Sequence, residues 1–591
     1  MAKKLKRFES VNTLMKYLKP YRRGFIISIV MLVVTCAAMV TSPNVEGMIT
    51  NSILKDVTDI AKGVPGARFH MENVVKIIML LLFIYAVKTA AQMISMICIT
   101  NSIQDTMRDL RNACIEKINA LPVKTLDSHP KGDILSRITN DIDAISNAMQ
   151  QTFMNVISGV LMVCFAIFMM FRVNLVMTVC VLVIIPISYV IIKKIAKISQ
   201  KSFDIHQRAL GELSANVTES FSGYNEIILF GKQEESVKKF EKINENIRET
   251  AYKAQFLSYL MSPLLSLLTY LSIGVVSVIG TIYAIGGVIT VGQLQAFVRF
   301  IWQVNEPLTQ VSQLSSQIQS ALSAMDRIHE FIEYEEETDV EREEKEFEGN
   351  VEFKDIRFGY GEKEVLHGVS LDAKKGETVA IVGPTGSGKT TIVNLLMRFY
   401  DPNSGSILID GTNSKDINRS TLRDNIGMVL QDTWLFTGSI RENIRFSKPD
   451  ATDAEIEQAC KYANADEFIS TLPEGYDTVI DEEADNISQG EKQLLTIARA
   501  ILKDPKVLIL DEATSSIDTK TEKNIQNAMD YLMEGRTSFI IAHRLSTIKN
   551  ADVILVMKDG DIVEQGTHEE LLKSKGFYSE LYNSQFEEEV C

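Results

Sequence analysis

A chain with repeated charge-free apolar runs has few folds open to it, because only helices or closed barrels satisfy their backbone in lipid. The run from Gly24 to Val45 carries no charged residue and is long enough to span a bilayer. Further spans are read at about 74–98, 152–171 and 173–192. Two more share the charge-free stretch Ala254 to Val298. Gly286, Gly287 and Gly292 break that stretch into a hairpin, whose second helix runs past Pro307. The first half is thus expected to be a helical membrane domain of six spans.

Residues 1–23 are basic and abut the first span directly, so the tail reads as a membrane flank rather than a nucleic-acid patch. Basic flanks face the cytoplasm, which places the N-terminus there, and six spans return the C-terminus to the same side. The connections at about 99–151 and 193–253 are long, polar and helical in period, as expected for hairpins extending beyond the bilayer. Pro186, Pro263 and Pro307 mark expected kinks. The Met- and Phe-rich face (Met162, Phe165, Phe168, Met169, Met170) reads as packing or lipid contact. Lys88, Arg299 and Glu306 place charge in or near spans, where it is costly. Two readings stay open: Lys88 and Arg299 line a polar translocation path, or Arg299 and Glu306 pair with neighbouring helices. The seven cysteines are scattered without metal-ligand spacing, which fits a reducing compartment.

Charge divides the chain. Residues 1–329 carry 33 Lys and Arg against 23 Asp and Glu, a net of +10. Residues 330–591 carry 28 against 53, a net of −25, and together these give the −15 of the 591-residue chain. An apolar basic half is therefore joined to an acidic, soluble-looking half. The domains are read as 1–332, an acidic solvated linker at 333–349, and 350–591.

The second half is organised around Thr378 to Thr391. Thr378–Val382 suits a buried parallel strand, Gly383-x-x-x-x-Gly388-Lys389-Thr390 is a glycine loop, and Ile392 to Tyr400 reads as a helix. Strand, loop and helix start make a phosphate cradle. Lys389 is placed to reach the β- and γ-phosphates of a nucleotide, and the Thr390 hydroxyl to ligate Mg²⁺. The buried strand Val507–Leu510 ends in Asp511-Glu512, suited to holding the metal through water and to orienting an attacking water. A further strand, Ser538–Ile541, ends in Ala542-His543, at the sheet edge where ligands bind. Gln431 follows the run Ile426–Leu430 and is a further candidate at the metal. Val351–Phe358 alternates with period two, and Asp559-Gly560 marks a late hairpin.

The stretch Asn486-Ile-Ser-Gln-Gly-Glu-Lys-Gln493, lying 18 residues before Asp511, resembles the signature of ATP-binding cassette (ABC) exporters. The whole chain is similar to a half-transporter: six spans joined to one α/β P-loop nucleotide-binding domain. The resemblance implies ATP and Mg²⁺ as ligands. It implies that Gly383, Pro384, Thr385, Gly386, Ser387, Gly388, Lys389, Thr390 and Thr391 form the Walker A loop. Tyr360 stacks on adenine, Gln431 is the Q-loop residue, Asp511 the Walker B aspartate, Glu512 the catalytic base, Asp518 the D-loop aspartate and His543 the switch histidine. Mg²⁺ is expected on Thr390, Gln431 and Asp511. Segments near 122–132 and 222–230 resemble coupling segments. Such halves work in pairs, each ATP being sandwiched between one Walker A loop and the partner's signature, here Ser488 and Gly490. Glu491 stands where the family commonly has Gln. With Walker B intact, the pattern resembles the catalytic chain of heterodimeric exporters, so a heterodimer is favoured over a homodimer. The implied activity is ATP-driven export of drugs, lipids or peptides from an inner or plasma membrane. ATP gating of a partner without pumping is the alternative, and an importer subunit or a soluble cassette is disfavoured.

Overall fold

The computed structural model describes residues 2–338, 347–361, 363–430, 433–481, 486–511, 518–541 and 548–586. It forms two compact units: Met1–Ala120 with His129–Glu335, and Leu121–Ser128 with Glu336–Cys591.

The first unit is helical. Its long helices are Arg22–Ala61, Met71–Ala120, Lys131–Val173, Leu175–Ser222, Gln233–Ile285 and Val291–Ile332. Among the described residues, four helices are long and apolar enough to cross a membrane: Glu9–Ala61, Met71–Ala120, Lys131–Val173 and Ser266–Ile285. The connections read as helical hairpins are continuations of these helices, turning near 121–130 and 223–232. Asn174 separates the third and fourth long helices; it is extended, and its side chain accepts the Met177 N–H at 3.1 Å.

Side chains of several helices meet in one apolar core, with Val40, Met170, Met177, Phe297, Phe300 and Ile301 buried together. Most of the Met- and Phe-rich face belongs to this core or packs on it, while Phe168 is exposed. Small residues let the helices close up, as expected in lipid, where packing rather than hydrophobicity holds helices together. The Ser28 and Ser95 hydroxyls meet at 2.8 Å, and the Gly292 N–H donates to Asn51 Oδ1 at 2.8 Å. A Cβ on Gly292 would overlap the Gly47 carbonyl.

One expectation changes here. The hairpin between the last two long helices closes before Gly292: Thr290 and Gln293 form a reciprocal capping box, and Gly292 lies inside the helix. Pro186, Pro263 and Pro307 all lie within helices that continue through them. Gly159 makes room for Pro307, since a Cβ there would come within 2.8 Å of its ring. The membrane charges resolve in part. Arg299 Nε lies 3.8 Å from Glu46 Oε2, and Tyr85 donates to Glu46 Oε1 at 3.0 Å. Arg299 thus pairs with a neighbouring helix, whereas Glu306 makes no bond among the described residues.

The second unit holds two principal sheets and a short antiparallel pair, β7 (Gly438–Ser439) with β8 (Val479–Ile480). A four-stranded antiparallel sheet has the order β2 (Glu364–Ala373), β1 (Val351–Gly359), β4 (Ser404–Ile409), β5 (Thr412–Asn413). A six-stranded sheet contains β3 (Thr378–Val382), β6 (Ile426–Val429), β9 (Val507–Asp511), β10 (Thr537–Ile541), β11 (Val553–Lys558) and β12 (Asp561–Gly566). Its order is β12-β11-β3-β10-β9-β6, parallel except for β12. Alternate residues feed two cores. Ala380, Val382, Leu508, Leu510 and Ile540 enter one, and Val379, Ile381, Val507, Ile509 and Phe539 the other. A strand buried on both faces has no polar face, which is why β3 and β9 read as unbroken apolar runs.

The linker is less solvated than its composition suggests. Glu337 binds Arg423 bidentately at 2.8 and 2.9 Å and lies 3.3 Å from Arg419 Nε. Downstream, the Asp410 carboxylate accepts the backbone N–H groups of Glu348, Gly349 and Asn350 at 2.8, 3.2 and 2.9 Å.

Candidate functional site

The glycine loop leaves β3 at its C-terminal end and enters the helix Lys389–Leu396, shorter than the Ile392–Tyr400 expected. Gly388 is the N-cap, with φ of +103°, a conformation that strains any other residue. It also packs tightly, because a Cβ would lie 2.8 Å from Leu366. The loop is held by short-range bonds: Ser387 N–H to the Pro384 carbonyl at 3.2 Å, and Thr391 N–H to that of Gly388 at 3.1 Å.

Lys389 folds back over the loop and donates to the Gly383 and Pro384 carbonyls at 2.7 and 3.0 Å. Burial pushes its pKa below the ordinary lysine value, while the Asp511 carboxylate at the end of β9 pulls it up. Ser387 Oγ is buried and has no hydrogen-bond partner among the described residues. Thr391 is buried, whereas Thr385, Gly386 and Thr390 are exposed. A half-buried cation, an unpartnered hydroxyl and a helix N-terminus converge here, and this is the donor set a polyphosphate takes up. The fit to ATP therefore rests on this chain's own geometry.

Tyr360, the expected adenine platform, is 46% exposed. It stands edge-on to Phe358 and to Tyr400, with both ring centroids at 5.0 Å, and its hydroxyl accepts from Asn394 Nδ2 at 3.0 Å. Tyr400 in turn donates to Asp127 at 2.8 Å. Burial, then the Asp127 bond and charge, push the Tyr400 pKa up. Sequence reasoning missed Tyr400 and Asn394, because neither sits in a motif and only the fold brings them to Tyr360.

The signature residues lie at a second helix start. Ser488 caps the helix Gln489–Lys503, and Gly490 is buried within its first turn. Glu491 completes a capping box: its Oε2 accepts the Ser488 N–H at 2.8 Å and the Ser488 hydroxyl at 2.7 Å. The unusual acid is thus engaged by its own helix. Asp518 likewise caps the helix Thr519–Met533, accepting from the Lys520 and Thr521 N–H groups at 3.0 Å each, and hydrogen bonds to Thr521 lower its pKa. Gln431, Glu512 and His543 lie outside the described residues.

Residues 25–308 match the profile of the ABC transporter transmembrane region, and 366–515 match that of the ABC transporter. The chain belongs to the ABC transporters. It is 38% identical over 571 residues to an uncharacterized ABC transporter ATP-binding protein, YfiC, of Bacillus subtilis, covering 96% of this chain and 92% of that one. It is 43% identical over 482 residues to a fatty acid ABC transporter ATP-binding/permease protein of Mycobacterium bovis, covering 81% and 76%. Its fold matches a bacterial Atm1-family ABC exporter with ATP bound at TM-score 0.74 and 27% identity, covering 96% of this chain and 98% of that one. This ABC exporter half-transporter is an ATP-binding membrane protein, an ATPase coupled to transport, and such halves work as dimers.

Proposed function

We propose that this chain is the hydrolytic half of an exporter that moves amphipathic or hydrophobic compounds by alternating access. The observation that carries the reading is the Lys389–Ser387 cradle, built for a polyphosphate, in a chain that also supplies membrane helices. The fatty acid transport named for the mycobacterial relative supports a lipid-like cargo.

Residue roles are assigned by the motif in which each residue stands. Lys389 leaves its two carbonyls to neutralise the β- and γ-phosphates, and the Ser387 and Thr391 region supplies the surrounding donors. Thr390, Gln431 and Asp511 would hold Mg²⁺, which would supply positive charge beside the phosphoryl group. Glu512 accepts the proton of the attacking water, His543 orients the terminal phosphate, and Tyr360 offers its exposed ring to adenine. Asp518 acts from the dimer junction. The membrane domain is taken as 1–332 and the nucleotide-binding domain as 350–591, with 122–132 and 222–230 passing motion between them. The exposed Phe221, Leu229 and Phe230 give the second segment an apolar docking tip. Both termini are placed in the cytoplasm of a bacterial inner or plasma membrane.

The partner is proposed to be a different half-transporter. Ser488 reaches a partner-bound phosphate only by giving up its bond to a carboxylate that repels the same phosphate. The site built on this signature then holds ATP, and the site built on this chain's Walker A turns it over.

ATP-driven accumulation of a lipophilic probe in inverted vesicles tests export. Glu512→Gln is expected to slow hydrolysis about 100-fold or more and to abolish accumulation. Accumulation that persists unchanged in that variant overturns the reading.

A further inference from the structure

The chain enters its first span through an elbow. A helix over Ala2–Leu18 ends in a single tight turn, Lys19–Tyr21, with Pro20 inside it, and the first long helix starts at Arg22. Hydrogen bonds pin this elbow to two other helices. The Ser10 hydroxyl donates to Asp326 at 2.7 Å and Thr13 Oγ1 lies 3.0 Å from His329 Nδ1, both on Val291–Ile332. Tyr21 donates to Asp109 at 2.7 Å and accepts from Arg108 at 3.0 Å, both on Met71–Ala120. Ser10, Thr13 and Tyr17 follow one another at steps of three and four residues and are buried or half-buried, whereas Val11, Met15, Lys16 and Lys19 are exposed. One face of the elbow is thus spent on the protein and the other is turned outward.

The outward face is cationic and unpaired. Lys16, Lys19, Arg22 and Arg23 line one concavity of about 420 Å³ together with Pro20, and no carboxylate lines it. The four charged side chains make no ion pair or hydrogen bond among the described residues. The acids that hold the elbow are already engaged, Asp109 with Tyr21 and Asp326 with Ser10. Like charges three and four residues apart destabilise a helix, so this cluster costs free energy until an anion joins it. Apolar side chains flank the cations on both sides: exposed Val11 and Met15 precede them, and exposed Ile26, Ile27 and Val30 follow on the first span.

We propose that Lys16, Lys19, Arg22 and Arg23 form the headgroup site of an anionic glycerophospholipid at the entry to the first span. Charge selects an anion, since four cations share the concavity without a counter-ion from the protein. The guanidinium forks of Arg22 and Arg23 suit the two free oxygens of a phosphodiester. The flanks select a lipid over a free phosphate or a nucleic acid. With the headgroup among the cations, the acyl chains lie along Ile26, Ile27 and Val30, while Val11 and Met15 enter the interface beside it. The seat is preformed, because the Ser10, Thr13 and Tyr21 bonds fix both arms of the elbow and little ordering is left for binding to supply. The occupant is a lipid of the surrounding bilayer, distinct from any transported compound.

The test titrates the full-length protein, in an uncharged detergent and without ATP, with dioleoylphosphatidylglycerol or dioleoylphosphatidylcholine and counts bound lipid by native mass spectrometry. The anionic lipid is expected to bind about tenfold or more tightly than the zwitterionic one, with a preference that shrinks as salt rises. Lys16→Gln and Arg23→Gln, which each leave three cations in place, are each expected to weaken the anionic lipid about fivefold. Glutamine at all four positions is expected to erase the preference. Glutamine at four exposed cations of one other helix, Lys238, Lys239, Lys242 and Lys253, is expected to keep it. A preference that survives the fourfold elbow variant, or single variants that bind as the wild type does, overturns the proposal. So does an equal loss in the charge-matched control. Glycerol 3-phosphate that displaces the lipid at equal concentration identifies a free-phosphate site and overturns the lipid assignment.

Discussion

At the scale of single residues, Glu491 shows how one side chain carries two demands. Its carboxylate caps the signature helix through Ser488, a bond that a glutamine amide oxygen accepts equally well. On the pairing proposed above, its negative charge also bears on the nucleotide held by the partner. Glu491→Gln is therefore expected to keep the melting temperature and to raise ATP turnover in the paired transporter. Glu491→Ala is expected to lose about 1 kcal/mol of stability, read in thermal unfolding. Asp410 carries a pH signature of a different kind. Burial raises its pKa, but the bonds from Asn350, Glu348 and Gly349 outweigh burial and hold it below the ordinary carboxylate value. A depressed folded-state pKa gives stability that is complete above the unfolded value and fades as pH falls through the folded one. The melting temperature of the wild-type protein is expected to exceed that of Asp410→Asn at pH 7, by about 1–2 kcal/mol in free energy. That gap should close below about pH 4; a gap constant down to pH 3 contradicts the assignment.

At the scale of elements, close approach decides the membrane helices and double burial decides the sheet. Gly47 and Gly292 let two long helices meet at backbone distance, and no side chain fits there without moving one of them. Gly292→Val is expected to cost about 1–3 kcal/mol, as overpacking does, and to lower the thermal midpoint in detergent. Gly274→Val is the control, since nothing lies within 4 Å of a Cβ there. Equal midpoints for the two variants contradict the close-contact account. In the second unit, the order β3-β10-β9 places the carboxyl ends of β3 and β9 on either side of β10. Lys389, after β3, therefore feels the Asp511 charge at the end of β9. Strand β10 ends at Ile541, two residues before His543.

At the scale of the whole molecule, membership of the ABC half-transporters points to a protein that works when paired. One chain offers one cradle and one signature, and a composite site needs each from a different copy. The heterodimer reading predicts low ATPase activity for this chain purified alone and a rise of about tenfold or more on co-reconstitution with its proper half-transporter partner. Full activity in a preparation shown by mass to hold only this chain contradicts it.

Apolar runs, the glycine loop and the strand alternation were legible in the chain because each is a local rule. Lipid demands helices, phosphate demands inward N–H groups, and a doubly covered strand demands unbroken apolar residues. The long helical connections were legible for the same reason, through their period. What depended on the tertiary structure was every partnership between distant residues: Arg299 with Glu46, Glu337 with Arg423, Tyr400 with Tyr360 and Asp127. These contacts join residues tens to hundreds of positions apart, and no local spacing encodes which of several charges or rings will meet once the helices and sheets have packed.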